Sequence, residues 1–343
     1  MTDYLTATSI VIASTFLLIP TLGELISERS GVLNLGVEGM IISSAAGSYL
    51  VAFHTREELN LGFYVIRWTD IGLEGKQFLG GEISVWIGIL SGLLIGMALA
   101  SIHGLLTITF SRNQIVSGIA ITIFGTGLSG MLGRTVGGKA AEVESLEPYS
   151  IPILDKIPFF GEVLFNQNVL VYFSLLMVPM LWFLLFKTKY GILIRTVGEN
   201  PAAAHNQGVK VNKVRFNSVL FGGAMAGIAG AYLTLAWLPT WSDGMTKGRG
   251  WLVIALVIIA LWHPFTSFVG AYIFGIFWVY QTSLQSGITV FNQTLIVPTA
   301  ILNMLPYVST LLFLMIGSII YSRSKVKKVL GAPSALTVPF RED

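Results

Sequence analysis

Apolar stretches recur along the chain at the length of a membrane span and are separated by shorter polar segments. A spanning helix needs about 20 mostly apolar residues. The pattern predicts an all-α polytopic membrane helix bundle of about nine transmembrane helices, with broken or re-entrant segments. The predicted spans cover roughly residues 6–23, 35–53, 84–110, 115–133, 166–186, 216–237, 251–263, 264–284 and 295–321.

Composition indicates that most of the protein surface faces lipid. Of the 343 residues, 53% are hydrophobic and 11% are charged, whereas soluble domains carry about 25% charged residues. The net charge of +3 is small, so no nucleic-acid partner is expected. The chain has no cysteine, which excludes disulfides and thiolate metal sites.

Charges between the spans predict how the chain is oriented. The 187–215 loop carries six Lys or Arg and one acid, and the tail after the last span is also basic, so both are expected in the cytoplasm. The 54–82 and 134–165 loops are acid-rich and are expected outside. The N-terminus reads as a retained first helix, and counting the spans places it outside. This predicts a transmembrane domain over 1–322 and a cytoplasmic basic tail over 323–343.

Polar residues interrupt the hydrophobic pattern between residues 23 and 39. We name as the polar island the five side chains Glu24, Glu28, Arg29, Asn34 and Glu38. Ionisable groups near membrane depth are costly and usually functional, so the island is a candidate for a translocation path or gate. The alternative is an ordinary cytoplasmic loop whose acids cap the next helix.

A second interruption runs from 239 to 250, before the short span that ends near Pro264. Broken segments at related positions of two halves of a chain point to a transport site. Lys247 and Arg249 lie in this loop although the span count places it outside. Either the segment dips into the bundle or the count is wrong by one span, and residues 251–284 could form one helix, two helices or a re-entrant pair. Trp237 and Trp241 flank the loop as candidates for stacking on a flat solute, with an interfacial aromatic belt as the alternative.

The basic 187–215 loop contains a short predicted helix. Asn200 followed by Pro201 is a helix start, the alanines after it favour helix, and Gly208 is a natural stop. A small, smooth helix of this kind can dock into a groove on a partner. A solvated connector is the alternative.

Recognisable catalytic constellations are absent from the sequence. There is no Walker A loop, no HExxH motif and no Gly-x-Ser-x-Gly motif, and the four histidines lie far apart. The sequence therefore predicts no catalytic residue, no metal site and no cofactor of its own.

Six motifs, in order along residues 10–320, resemble the ABC importer permeases of the ribose and branched-chain amino acid permease superfamily. They lie at 27–40, 113–118, 195–204 with Gly208, 245–250, 262–264 and 305–307. The most similar branch is that of the nucleoside (simple sugar) permeases, which work with a basic-membrane-protein-type lipoprotein.

The resemblance implies partners and a site for one of them. It implies a heterodimer with a second, related permease, a cytoplasmic double-cassette ATPase that uses the ATP, an external substrate-binding lipoprotein, and the plasma membrane of a prokaryote. The ATPase is expected to contact the coupling segment, whose residues are Arg195, Gly198, Glu199, Asn200, Pro201, Ala202, Ala203 and Gly208.

The expected solute is a nucleoside or a similar small polar molecule, with a sugar or a riboflavin-like compound as the alternative. The long, charged 54–82 loop and the extended 134–165 loop depart from the family pattern at the face expected to meet the binding protein. An ion-driven secondary transporter is a rival, but it would need an ionisable relay in mid-span. An integral-membrane enzyme is a second rival without a catalytic set.

Overall fold

Helices dominate the architecture. The computed structural model describes residues 2–341 except 57, 61–64, 71–76, 136–142, 153, 159, 286–287, 291–292, 296–297, 299–300, 303, 306, 313 and 316–330. The helices in this part of the chain are α1 Thr2–Arg29, α2 Val37–His54, α3 Ile83–Gly104, α4 Gln114–Arg134, α5 Phe160–Leu164, α6 Val169–Lys187, α7 Lys189–Glu199, α8 Pro201–Asn206, α9 Val211–Tyr232, α10 Gly250–Ile259 and α11 Pro264–Gln285.

Two helices continue into π-helical turns, and short hairpins decorate the connections. Leu105–Thr109 extends α3, Leu233–Trp237 extends α9, and a 3₁₀ turn spans Leu154–Lys156. The strands pair antiparallel, each with the next along the chain: β1 Glu58–Asn60 with β2 Val65–Arg67, β3 Tyr149–Ser150 with β4 Asn166–Gln167, and β5 Ile288–Val290 with β6 Gln293–Leu295.

The predicted all-α polytopic membrane bundle is confirmed. By length and composition, five helical segments within the described part of the chain could each cross a membrane: Thr6–Arg29, Ile83–Thr109, Gln114–Arg134, Val169–Lys187 and Val211–Trp237. The predicted spans at 35–53 and 264–284 coincide with α2 and α11. The ninth predicted span lies partly, and the cations at 323–328 wholly, outside the described residues.

Helix starts follow from polar caps in the sequence. The Asn113 side chain accepts hydrogen bonds from the backbone N–H groups of residues 115 and 116, and Asn168 caps α6 in the same way. Thr188 accepts from the Gly191 N–H at 3.1 Å, which starts α7 directly after α6. Each cap satisfies N–H groups that have no partner inside the helix. The helix α7 was not foreseen in the predicted cytoplasmic loop.

Small residues let α3 and α9 pack backbone to backbone. Gly92 and Gly96 of α3 face Gly223 and Gly227 of α9. In each helix the two glycines are four residues apart and so lie on one face. A Cβ on Gly96 would collide with the Gly223 carbonyl oxygen, and one on Gly227 with the Gly92 carbonyl oxygen. The contact depends on having no side chain at these positions, as in other tightly packed membrane helices.

Gly96→Ala should destabilise the bundle, because the new methyl group has no room against α9. Overpacking costs about 1–3 kcal/mol. Gly127→Ala on α4 is the matched control, since nothing lies within 4 Å of a Cβ there. Both substitutions raise helix propensity by the same amount. A difference between the midpoints of their thermal unfolding curves in detergent therefore reports the cost of overpacking alone. Equal midpoints would contradict close α3–α9 packing.

Candidate functional site

The polar island lies inside the bundle and mostly on a helix. Glu24, Glu28 and Arg29 belong to α1, and only residues 30–36 are non-helical before α2 begins. The first span was therefore predicted too short, by about one and a half helical turns. All five island side chains are at most 6% exposed. A solvated loop would expose its charges, so the ordinary-loop alternative does not describe them.

Glu24 holds the non-helical turn in place. Its Oε1 accepts a hydrogen bond from the Asn34 backbone N–H at 2.9 Å, and its Oε2 accepts from the Asn34 side-chain amide at 3.4 Å. Asn34 Oδ1 in turn accepts from the Gly36 N–H at 3.0 Å. Buried polar groups must find partners within the protein, and these bonds supply them across the break between α1 and α2.

Glu38, in the first turn of α2, holds the start of α10. Its Oε1 accepts hydrogen bonds from Thr246 Oγ1 at 2.6 Å and from the Gly248 N–H at 3.0 Å. Its Oε2 accepts from the Gly250 N–H at 2.5 Å. The first N–H groups of a helix lack intrahelical partners and carry partial positive charge. At the start of α10, the Glu38 carboxylate supplies both an acceptor for these N–H groups and a negative charge beside them.

The segment 238–249 turns back into the bundle to reach Glu38. Alongside α2, Thr234 Oγ1 donates to the Ala45 carbonyl at 3.0 Å, and the chain leaves its helical conformation after Trp237. Gly250 nevertheless contacts Glu38. Glu38 precedes Ala45 by seven residues of α2, so this contact lies about 10 Å closer to the start of that helix. This is the dipping segment that the charges at 247 and 249 suggested. The predicted 251–263 span is thus a half-length helix.

The far end of α10 is fixed to the end of α1. Arg29 Nε donates to the Trp262 carbonyl at 3.0 Å, and Nη2 donates to the Leu261 carbonyl at 3.4 Å. Trp262 Nε1 donates to Glu28 Oε2 at 2.6 Å. These carbonyls belong to the turn that follows α10, which ends at Ile259. Polar-island residues therefore hold the start of α10 and the turn after its end.

The two candidate tryptophans do not present open stacking faces to a solute in this structure. The Trp237 ring lies 5.8 Å from the Phe16 ring and 4.7 Å from the Trp278 ring. The Arg249 guanidinium lies 3.7 Å from the centroid of Trp278. Trp241 packs against Gly133 of α4, where an added Cβ would collide with its ring. Trp237 thus belongs to an aromatic cluster with Phe16 and Trp278, whereas Trp241 packs on α4.

A cavity of about 580 Å³ opens along α4. Its lining residues are Thr122, Ile123, Thr126, Gly127, Gly130, Met131, Arg134 and Asp243. It offers hydroxyls, one cation and one carboxylate beside apolar side chains, a combination that suits an uncharged polar solute. Among the described residues, no three His, Asp or Glu side chains are placed to hold a metal ion.

The helix α4 was not predicted to contribute to the site. The signal was present: Thr122, Thr126, Gly130 and Arg134 recur every fourth residue in an apolar helix and so share one face. Asp243 comes from the second interrupted region, as expected for a residue near a path. Its Oδ1 lies 3.7 Å from the position of a Cβ on Gly130.

The predicted short helix in the basic loop is confirmed as α8. Asn200 caps it by accepting from the Ala203 N–H at 2.9 Å, and Pro201 is its first residue. Gly208, with φ of +79°, follows its end. Ala202 and Ala203 are exposed. The helix therefore offers a smooth apolar face.

The coupling segment touches the polar island directly. A Cβ on Gly198, near the end of α7, would collide with the Arg29 carbonyl oxygen. Arg195 is packed with its guanidinium 5.1 Å from the centre of the Phe186 ring. A continuous set of contacts thus runs from α7 through Arg29 to the end of α10.

Glu38→Gln should free the start of α10, because the amide nitrogen of glutamine would face N–H donors. Hydrogen bonds to a charged group contribute about 1.5–3 kcal/mol each. The midpoint of thermal unfolding should fall, whereas Glu162→Gln at an exposed acid should leave it unchanged. An unchanged midpoint in Glu38→Gln would contradict the clamp.

Comparison with known proteins places the chain among transport proteins. Residues 6–321 match the family described as the branched-chain amino acid transport system / permease component. No solved structure matches the chain.

Relatives named for different solutes cover most of the chain. The protein named "Putative glucose ABC transporter permease protein TsgC13" of Haloferax volcanii is 40% identical over 80% of this chain and 76% of its own length. The nucleoside ABC transporter permease protein NupC of Lactococcus lactis is 30% identical over 89% of this chain and 90% of its own. The guanosine ABC transporter permease protein NupQ of Bacillus subtilis is 30% identical over 96% and 98%.

A family match over nearly the whole chain agrees with the fold and with the polar breaks inside the bundle. Such permeases work with an ATPase and a substrate-binding protein, and the relatives are transport subunits and not enzymes. The chain therefore belongs to the branched-chain amino acid transport system / permease component family, as a multi-pass membrane permease subunit of an ABC importer.

Proposed function

We propose that this permease imports nucleosides, recognised partly through their sugar hydroxyls, in a prokaryotic plasma membrane. The observation that carries the proposal is the cavity along α4, whose lining includes the hydroxyls of Thr122 and Thr126 together with Arg134 and Asp243. The two hydroxyls donate to backbone carbonyls, so they can accept hydrogen bonds from the hydroxyls of a solute, while Arg134 can donate and Asp243 can accept. Relatives named for nucleosides and guanosine span nearly the whole chain, which supports this solute class.

A sugar is the second candidate. The relative named for glucose has the higher identity, 40%, over a shorter part of the chain. The sugar part of a nucleoside offers the same hydroxyl chemistry, so the cavity accommodates either class. The two classes are separated by measuring how the assembled transporter takes up labelled guanosine and labelled glucose. Unlabelled guanosine, cytidine, glucose or riboflavin serves as the competitor. Competition by glucose alone would overturn the nucleoside proposal.

The full transporter, in this proposal, contains a second related permease, a double-cassette ATPase and an external lipoprotein. The N-terminus lies outside and the C-terminus in the cytoplasm. ATP acts only on the ATPase, which docks on α8. The polar island serves as the gate and the α4 cavity lines the path.

The contacts of α10 support this division of roles. Movement of α7 would reach the Arg29 backbone through the close approach of Gly198. Arg29 holds the turn after α10, and Glu38 holds the start of that helix. A displacement at the coupling segment therefore has a short route, through one packing contact and these hydrogen bonds, to the interior of the bundle.

Ala203→Trp should lower ATP-driven uptake by about tenfold or more, because a large side chain would obstruct docking on the exposed face of α8. The fold should be unaffected, since Ala203 is exposed. Leu176→Trp is the control, at an exposed position on α6 that is 65% accessible. Normal uptake and normal ATPase binding in Ala203→Trp would remove α8 from the coupling role.

Asp243→Asn and Arg134→Gln should each raise the KM for uptake by about tenfold, because each removes one charge-assisted hydrogen bond to the solute. The maximal rate should change less. Asp70→Asn, at an exposed acid far along the chain from the cavity, is the matched control. If both cavity variants keep the wild-type KM, the path does not run along α4.

A further inference from the structure

Part of the segment predicted as a basic tail packs against the rest of the protein. Residues 331–341, which we name the C-terminal strap, form a turn that packs on α7, with Pro333 and Ala335 buried. The Ala335 N–H donates to the Gly198 carbonyl at 2.9 Å. Ser334 donates to Glu199 Oε2 through its hydroxyl at 2.8 Å and its backbone N–H at 3.3 Å. The strap thus binds the Gly198 carbonyl, which has no partner inside the helix, and the Glu199 carboxylate.

A second anchor joins the strap to the end of α1. Arg215 of α9 donates from Nε to the Ser30 carbonyl at 3.2 Å and from Nη1 to the Val338 carbonyl at 3.1 Å. Arg215 is only 2% exposed. One buried guanidinium therefore links the strap to the turn that follows α1.

The outer edge of the strap continues the exposed face of α8. The Phe340 ring lies 5.9 Å from the His205 ring, which brings the two segments side by side. Val338 is 48% exposed, and Arg341 is also exposed. Together with Ala202 and Ala203 these residues form one surface, apolar in its centre and cationic at its rim.

We propose that the C-terminal strap and α8 form a single docking surface for the ATPase, and that the strap fixes α7 against the end of α1. This rests on the proposed function, because it extends the docking site on α8. The occupant is the ATPase because the strap adjoins α8 and is hydrogen-bonded to Gly198 and Glu199 of the coupling segment.

Cross-linking tests the surface. The chain has no cysteine, so Val338→Cys provides a single attachment point for a benzophenone reagent. In the assembled transporter, illumination should join this position to the ATPase. Tyr149→Cys, 44% exposed and remote from α8 along the chain, should give no ATPase adduct. Absence of an adduct from Val338→Cys in a transporter that still takes up solute would overturn the proposal.

A matched pair of substitutions tests the fixing role. Ala335→Asp places a charge where the strap is buried, and Ser150→Asp places the same charge at an exposed position of β3, in the loop predicted to lie outside. Ala335→Asp should weaken ATPase binding by about tenfold while pairing with the second permease stays normal. Ser150→Asp should bind the ATPase as wild type. Equal affinities in the two variants would show that the strap is not part of docking.

Failure of this proposal is distinguishable from failure of the proposed function. If the wild-type assembly shows no ATP-driven uptake of nucleosides or sugars, the proposed function fails. If the wild type transports but a chain that ends at residue 330 transports and binds the ATPase equally well, only the strap proposal fails. A chain that ends at Arg341 controls for loss of the last two residues.

Discussion

The carboxylate of Glu38 is the contact on which the interior of the bundle depends. It belongs to the first turn of α2 and accepts hydrogen bonds from the start of α10, so two helix N-termini meet at one side chain. Away from water, each unsatisfied backbone N–H costs several kcal/mol. An anion placed between two helix starts removes that cost and opposes their partial positive charges. The two breaks in the bundle can exist because this group lies between them.

Arg29 performs the complementary task at the other end of α10. It binds two carbonyl groups of the turn just after that helix, while its own backbone lies against Gly198 of α7. The start of α10 and the turn after its end are thus held by two charged side chains of opposite sign. Coupling between two sites requires a structural element that can adopt two arrangements. The ten-residue helix α10, which has non-helical chain at both ends, has the geometry for such an element.

Periodicity and capping residues were sufficient to predict most helices and the start of α8. Asn200, Pro201 and Gly208 each act locally, so a single sequence reveals them. The burial of Glu24 and Glu38 could not be predicted, because their partners lie at the far side of a break or about two hundred residues away. The α4 cavity was missed since threonine and glycine also occur in ordinary helix packing. The packing of the strap was not predicted, because the cations at 323–328 indicated only a cytoplasmic basic tail.

The wide sequence separation of the α10 contacts has a consequence for synthesis in the cell. Glu38 and Glu28 enter the membrane early, yet their donors Thr246 and Trp262 follow 208 and 234 residues later. The chain grows at about 5–20 residues per second, so the two acids wait tens of seconds for their partners. During that interval the N-terminal helices hold buried carboxyl groups without these donors. The polar contacts that hold α10 can therefore form only after most of the chain has been made.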